Sequence, residues 1–299
     1  MTKLIQPFAV TSSNLTSNIG ESDASEYVST VTYAAGATVM WTIGTGATHH
    51  IYQSIAGSNL GNALTDTTKW LDLGPTNRWA MFDTANGTPT TGSSIDVTVN
   101  VTGRSDGVAL LNIDAETVQV TASTVADGIL YNQTYSLLSD SGVTSWYAYF
   151  SEAIYYNRDL VLTDLPMSVN PTVRVQITKA SGTVSLGTMV LGQTKDLGAV
   201  TYGARANIMD FSRKELDSFG NYTIVPRSYS KRTTLKLVTD SSQVDSIYSL
   251  LADYRTTPAV WVGSDSYAAT WVFGFYRDFA IEIAQLQKSY LTLEIEGLT

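Results

Sequence analysis

Cysteine is absent from the 299-residue chain, which removes disulfides, thiolate metal sites and cysteine nucleophiles together. Histidine is almost absent: the adjacent pair His49 and His50 is all there is. Neighbours on a strand point to opposite faces, so this pair is not expected to share a metal, and a Ser-His-Asp triad would have to use one of the two. Charge is scarce, at 15% of residues, and basic runs are missing, with a net charge of −9. A phosphate backbone would be repelled, which argues against nucleic acid as a partner. No apolar run approaches the ~20 residues of a membrane helix, so membrane insertion is not expected. The first ten residues, MTKLIQPFAV, are too short and lightly charged for a secretory signal.

Catalytic motifs are missing as well. No serine sits in a G-x-S-x-G elbow, and GTGATHH (Gly44 to His50) lacks both the spacing of a phosphate loop and a helix after it. The 27 acidic residues supply so many arbitrary carboxylate pairs that none nominates a glycosidase acid and base. No enzyme, cofactor or bound metal is expected.

What the chain does have is aromatic and β-patterned. Seventeen tyrosines and six tryptophans suit cores and contacts built from rings, and the hydrophobic fraction of 43% makes an ordered globular protein. Residues 1–26 are polar and turn-rich, and read as an extended arm or a strap lying on another surface, able to order on a neighbouring subunit. Residues 27–83 form short strands in a small β unit. Residues 84–200 hold about eight short strands, SWYAYF among them, and read as a jelly-roll-like sandwich. Its cleanest strands place Ile95, Val97, Val99 and Val101, and likewise Val173, Val175 and Ile177, on one face.

Residues 201–299 read as an α+β domain. One helix is expected at about 242–254, with Ser242 and Asp245 as a capping box and Val244, Ile247, Leu251 and Tyr254 as its apolar stripe. A final strand alternates Leu291, Leu293 and Ile295 with polar residues. Before the helix lies a long polar loop, 205–232, holding a third of the basic residues. A loop of that length is often an inserted arm or an intersubunit hairpin. Arg213, Lys214, Arg227 and Arg232 are its candidates for meeting acids on a neighbouring subunit.

The stretch KWLDLGPTNRWAMFD (Lys69 to Asp83) sets Trp70 and Trp79 either side of a Gly-Pro turn. Trp70 reads as core. Trp79 and Phe82 read as pins between the small unit and the sandwich, with Arg78 and Asp83 at the seam. The competing reading makes Tyr52 and Trp79 a platform for glycan.

Two resemblances follow from these residues. Tyr33-Ala-Ala-Gly36-Ala-Thr-Val39, Ile51-Tyr52 and Trp70-Leu-Asp-Leu-Gly74 resemble a family 5/12 carbohydrate-binding module, a three-stranded β unit. Where that family carries adjacent aromatics after the second-strand tyrosine, this chain has Gln53-Ser54-Ile55-Ala56. The segments GPTNRWAMFD, YGARANIMDFSRKELDSFGNYTIVPRSYSKR, FGFYRDFAIEI and LEIEGL resemble tail-tip or distal-tail proteins of tailed bacteriophages. That resemblance implies a mainly β, tail-tube-like C-terminal domain and assembly as a homo-oligomeric ring with other phage tail proteins. It also implies a place in the virion tail after synthesis in the host cytoplasm, which needs no export signal. The alternative it leaves is an adsorption lectin for host cell-surface glycan.

Overall fold

Alternating apolar residues build the strands, and the fold is mainly β. The computed structural model describes residues 1–42, 48–139, 145–151, 155–216 and 220–298. Ile95, Val97 and Val99 are buried on one side of strand Ile95–Asn100, and Val173, Val175 and Ile177 on one side of strand Thr172–Thr178. These strands pair antiparallel and lie in a five-stranded sheet with Gly128–Ser136, Thr117–Thr124 and Leu15–Ser17. Their buried faces share one core with Val108, Leu110 and Ile113 of strand Gly107–Asp114 and with Val184, Leu186 and Leu191. Two sheets facing one core make a β-sandwich.

Strand Val184–Val200 leaves this sandwich and enters a second unit. Its first part pairs with Gly107–Asp114 and its later part with Thr2–Pro7. Gly192 sits at the hand-over, where a Cβ would lie 1.6 Å from the Gln6 carbonyl oxygen. Only glycine allows the two backbones to approach so closely.

The second unit is a closed ring of six antiparallel strands. Thr2–Pro7 pairs with Ala259–Val262, which pairs with Trp271–Glu282, then Lys288–Gly297, then Tyr229–Asp240. Ala199 and Val200 pair with Val238 and Leu237 and complete the circuit. Leu4, Leu197, Leu235, Leu237, Trp261, Leu291, Leu293 and Ile295 form its core. Closure leaves this barrel with no free sheet edge along the paired stretch.

Helix Val244–Asp253 adds Ile247 and Leu251 to that core, as the apolar stripe required. The expected capping box does not form. Ser242 lies in a 3₁₀ turn, Ser241–Gln243, and the helix begins after Gln243 with no side-chain cap. No helix among the described residues is long and apolar enough to cross a membrane.

Of the two readings for the first 26 residues, arm or strap, the structure shows a strap, and it lies along its own subunit. Thr2–Pro7 is a barrel strand, with Leu4 in the barrel core and Ile5 buried on the opposite face. Leu15–Ser17 extends the sandwich sheet, and Ser25–Glu26 pairs parallel with the small unit through Val39 and Met40. Thr2–Pro7 is paired on both sides, so its backbone groups are spent within the subunit, while Leu15–Ser17 and Ser25–Glu26 are edge strands. SWYAYF also departs from its strand reading, since Trp146–Ser151 is a helix in which the Ser151 hydroxyl donates to the Tyr147 carbonyl at 2.7 Å.

Candidate assembly surfaces

The small unit shows where its rings serve. Strands Thr38–Trp41, His50–Ser54 and Trp70–Pro75 pair antiparallel. Trp70 is buried, with its ring centroid 5.3 Å from Tyr33 and 5.7 Å from Tyr27 in edge contacts, and its indole N–H donates to the Asn62 carbonyl. It is core, as read from the sequence.

Trp79 is also core, and this removes it from any glycan platform. Its ring is 1% exposed, packed 5.1 Å from His49 and 6.1 Å from Phe82, within the sandwich core beside Met81. A ring with no open face cannot stack on a sugar. Tyr52 is half-buried beside His50, at 6.3 Å between rings, and is not among the rings that contact Trp79. Burial, with the Asp72 carboxylate second, pushes its phenol pKa up. The two predicted platform residues do not come together.

Around Trp79 lies a polar seam. Glu21 of the strap accepts from His49 Nδ1 at 2.7 Å and Thr76 Oγ1 at 2.8 Å, and Arg78 lies 3.7 Å away. Asp83 instead shapes its own turn, accepting from the Ala85 amide and the Thr88 hydroxyl, and burial raises its pKa. His50 turns to Asp72 at 2.9 Å, away from His49 and its Glu21 partner, so the tandem histidines face apart. Gly44 to Ala47 of the GTGATHH stretch fall outside the described residues.

Among the described residues no three histidine or carboxylate groups gather as metal ligands. The roomiest of the main cavities, about 600 Å³, opens between residues 200–206 and 263–270. Its walls include Val200, Tyr202, Leu235 and Tyr267, with no carboxylate, imidazole or amine.

Most of the described residues of the 205–232 segment lie in strands, paired in two tiers. Arg205–Asp210 pairs with the start of Tyr229–Asp240, and Arg213–Leu216 pairs beyond it with Tyr222–Val225. Asp210 shapes the joint between the two tiers. Its carboxylate accepts from the Ser212 amide at 2.9 Å and from Lys214 Nζ at 3.1 Å. Those bonds, Ser212 first, bring its pKa down to about 2. Across the joint the Arg227 amide donates to the Ser212 hydroxyl at 3.1 Å.

The four basic candidates separate here. Arg213 pairs with Glu215 on its own strand, and Lys214 with Asp210, both at exposed positions. Exposed pairs of this kind hold little energy and can exchange partners. The Arg227 side chain is exposed and makes no ion pair among the described residues. Arg232 stands opposite Glu296 in the barrel ladder and donates to it at 3.0 Å, so its charge is paired within the subunit.

Directly opposed residues of an antiparallel ribbon share a face. In the outer tier Lys214 opposes Ile224 and Leu216 opposes Tyr222, while Arg213 opposes Val225 and Glu215 opposes Thr223. One face is therefore apolar with a single lysine, and the other is mostly polar. Leu216, Tyr222 and Ile224 are 59%, 72% and 60% exposed. Helix Trp146–Ser151 is a second exposed aromatic surface, with Trp146 and Phe150 80% and 79% exposed and their rings stacked 6.4 Å apart. Sequence reading passed over it. The i, i+4 spacing of its rings was the signal available. No protein-family model, curated protein or solved structure matches the chain.

Proposed function

We propose that the chain is a structural component of a tailed-phage virion, at the tail tip or baseplate, assembling as a ring around the tail axis. The hairpin of residues 205–232 joins neighbouring copies, and the small unit and sandwich project outward as β modules. The observation that carries this reading is the apolar outer face of that hairpin. A two-stranded ribbon is marginal by itself, and three large apolar side chains on one face of it favour a covering partner. The resemblance of the same segment to distal-tail proteins supports the setting. In this reading the protein performs no reaction. Electron microscopy of virions labelled through an antibody to this chain tests it: density at the tail tip is expected, and unlabelled particles would refute it.

The exposed pair Trp146 and Phe150 favours a second reading, an adsorption lectin for host cell-surface glycan. The platform in this form lies on the helix Trp146–Ser151 and not on Tyr52 and Trp79. Saturable binding to a glycan array, lost in Trp146→Ala while the melting curve is unchanged, is its expected result. An array without signal would exclude it.

A further inference from the structure

The barrel carries an outward face whose charges oppose one another. On strands Trp271–Glu282 and Lys288–Gly297, Tyr276, Phe279 and Ile281 pack on the core and stand opposite buried Ile295, Leu293 and Leu291. The alternate positions therefore face out. Asp278 stands directly opposite Glu294, both exposed, and Glu282 stands opposite Tyr290. Like charges directly opposed across a ladder destabilise it. Among the described residues no ion pair neutralises Asp278, Glu282 or Glu294; Arg277, in the adjoining bulge, and Lys236, on the next strand, leave them unpaired. Between the two acidic rungs lie Ala280 and Thr292, whose small side chains form a shallow trough edged by the half-exposed Tyr290 and by the exposed Lys236, which stands opposite Thr292.

The arm has the opposite sign. Lys231 and Arg232 pair inside the subunit with Asp159 and Glu296, which leaves Arg205, Arg213, Lys214 and Arg227 against Asp210, Glu215 and Asp217 within 205–232, in a chain of net charge −9. Its apolar face carries one cation, Lys214, one rung from Leu216 and Tyr222. The acidic rung Asp278–Glu294 likewise stands one rung from the trough. A lysine set between the two carboxylates would bring Leu216 and Tyr222 over Ala280 and Thr292, since rungs on one face repeat at the same interval in both ladders.

We infer that the outward face around Asp278, Ala280, Thr292 and Glu294 is the acceptor for the arm of a neighbouring copy, with Lys214 seated between Asp278 and Glu294. This rests on the ring reading above and names its second half. Donor and acceptor are different patches of one chain, so the contact is heterologous, and repetition closes a ring or extends a tube.

Charge exchange tests it, using sedimentation velocity of the full chain with far-ultraviolet melts to confirm folding. Lys214→Glu and Glu294→Lys are each expected to raise the concentration needed for assembly roughly tenfold or more. The triple variant Lys214→Glu/Asp278→Lys/Glu294→Lys reverses every charge of the contact and is expected to restore assembly, because each arm then meets a complementary acceptor. Assembly unaffected by Glu294→Lys, or a triple variant no better than Lys214→Glu alone, overturns the acceptor while leaving the ring intact. A wild-type chain that never assembles overturns the ring reading and this inference together. Glu294 lies on a solvent-facing strand position, so its substitution removes a repulsion and does not endanger the fold.

Discussion

Leu216 and Tyr222 stand directly opposite each other in the outer tier of the arm, and both side chains face solvent. A rung of that composition, with Ile224 beside it, stays mostly exposed in its own subunit. In the proposed ring a neighbouring copy covers it. Replacing Leu216, Tyr222 and Ile224 by serine is expected to weaken self-assembly at least about tenfold, roughly 1.4 kcal/mol. Stability of the single subunit should stay within about 0.5 kcal/mol, the usual range for surface positions. Sedimentation and urea unfolding of the same samples check both halves. A large loss of stability would mean that the arm serves its own fold.

Leu4 reaches the barrel core from the opposite end of the sequence. Leu4→Ala is expected to cost about 2–5 kcal/mol, the range for a buried leucine. Removing residues 1–7 should do more, because it opens the strand ring between Val184–Val200 and Ala259–Val262. Urea unfolding that is unchanged after this truncation would contradict the closed barrel.

Trp79 and Tyr52 should respond very differently to the same substitution. Trp79→Ala is expected to cost about 3–5 kcal/mol, as for a large ring deleted from a core. It should also loosen the seam held by Glu21, His49 and Thr76, read as faster proteolysis near residues 76–90. Tyr52→Ala, at a half-buried position, should cost about 1 kcal/mol.

The arm should be insensitive to pH until strong acid. Asp210 has a folded pKa of about 2 against an ordinary value of 3.8. A depressed carboxylate pKa contributes stability that is fully present above the unfolded value and is lost as pH falls through the folded one. Amide exchange at Ser212 and Arg227 should therefore keep constant relative protection from neutral pH down to about 4. It should then weaken toward about 2. Asp210→Asn should abolish that transition. Protection that fades at mildly acidic pH would point to another group.

The parts legible in the sequence were those with one buried face. Ile95, Val97 and Val99, and later Leu291, Leu293 and Ile295, announce their strands because water lies on one side and core on the other. Helix Val244–Asp253 showed itself by its stripe in the same way. Thr2–Pro7 could not, since Leu4 and Ile5 are adjacent and both buried, one on each face, which erases alternation. Its partners, moreover, lie about two hundred residues away in sequence. The arm read as a loop because neither face of its outer tier is buried within the subunit, leaving only charges in view. Trp146–Ser151 misled in the other direction, since Trp, Tyr and Phe favour strands by propensity while local hydrogen bonding made a helix. For the candidate site the sequence located the basic cluster, but not that Arg232 was already committed to Glu296. That pairing depends on a register between strands some sixty residues apart.

The most direct test of the account is the solution mass of the full chain compared with a variant whose residues 211–228 are replaced by a short Gly-Ser turn. The intact chain is expected to sediment as a discrete oligomer and the shortened one as a folded single copy. If both sediment as single copies at every concentration, or both as the same oligomer, the arm does not join subunits and the central claim fails.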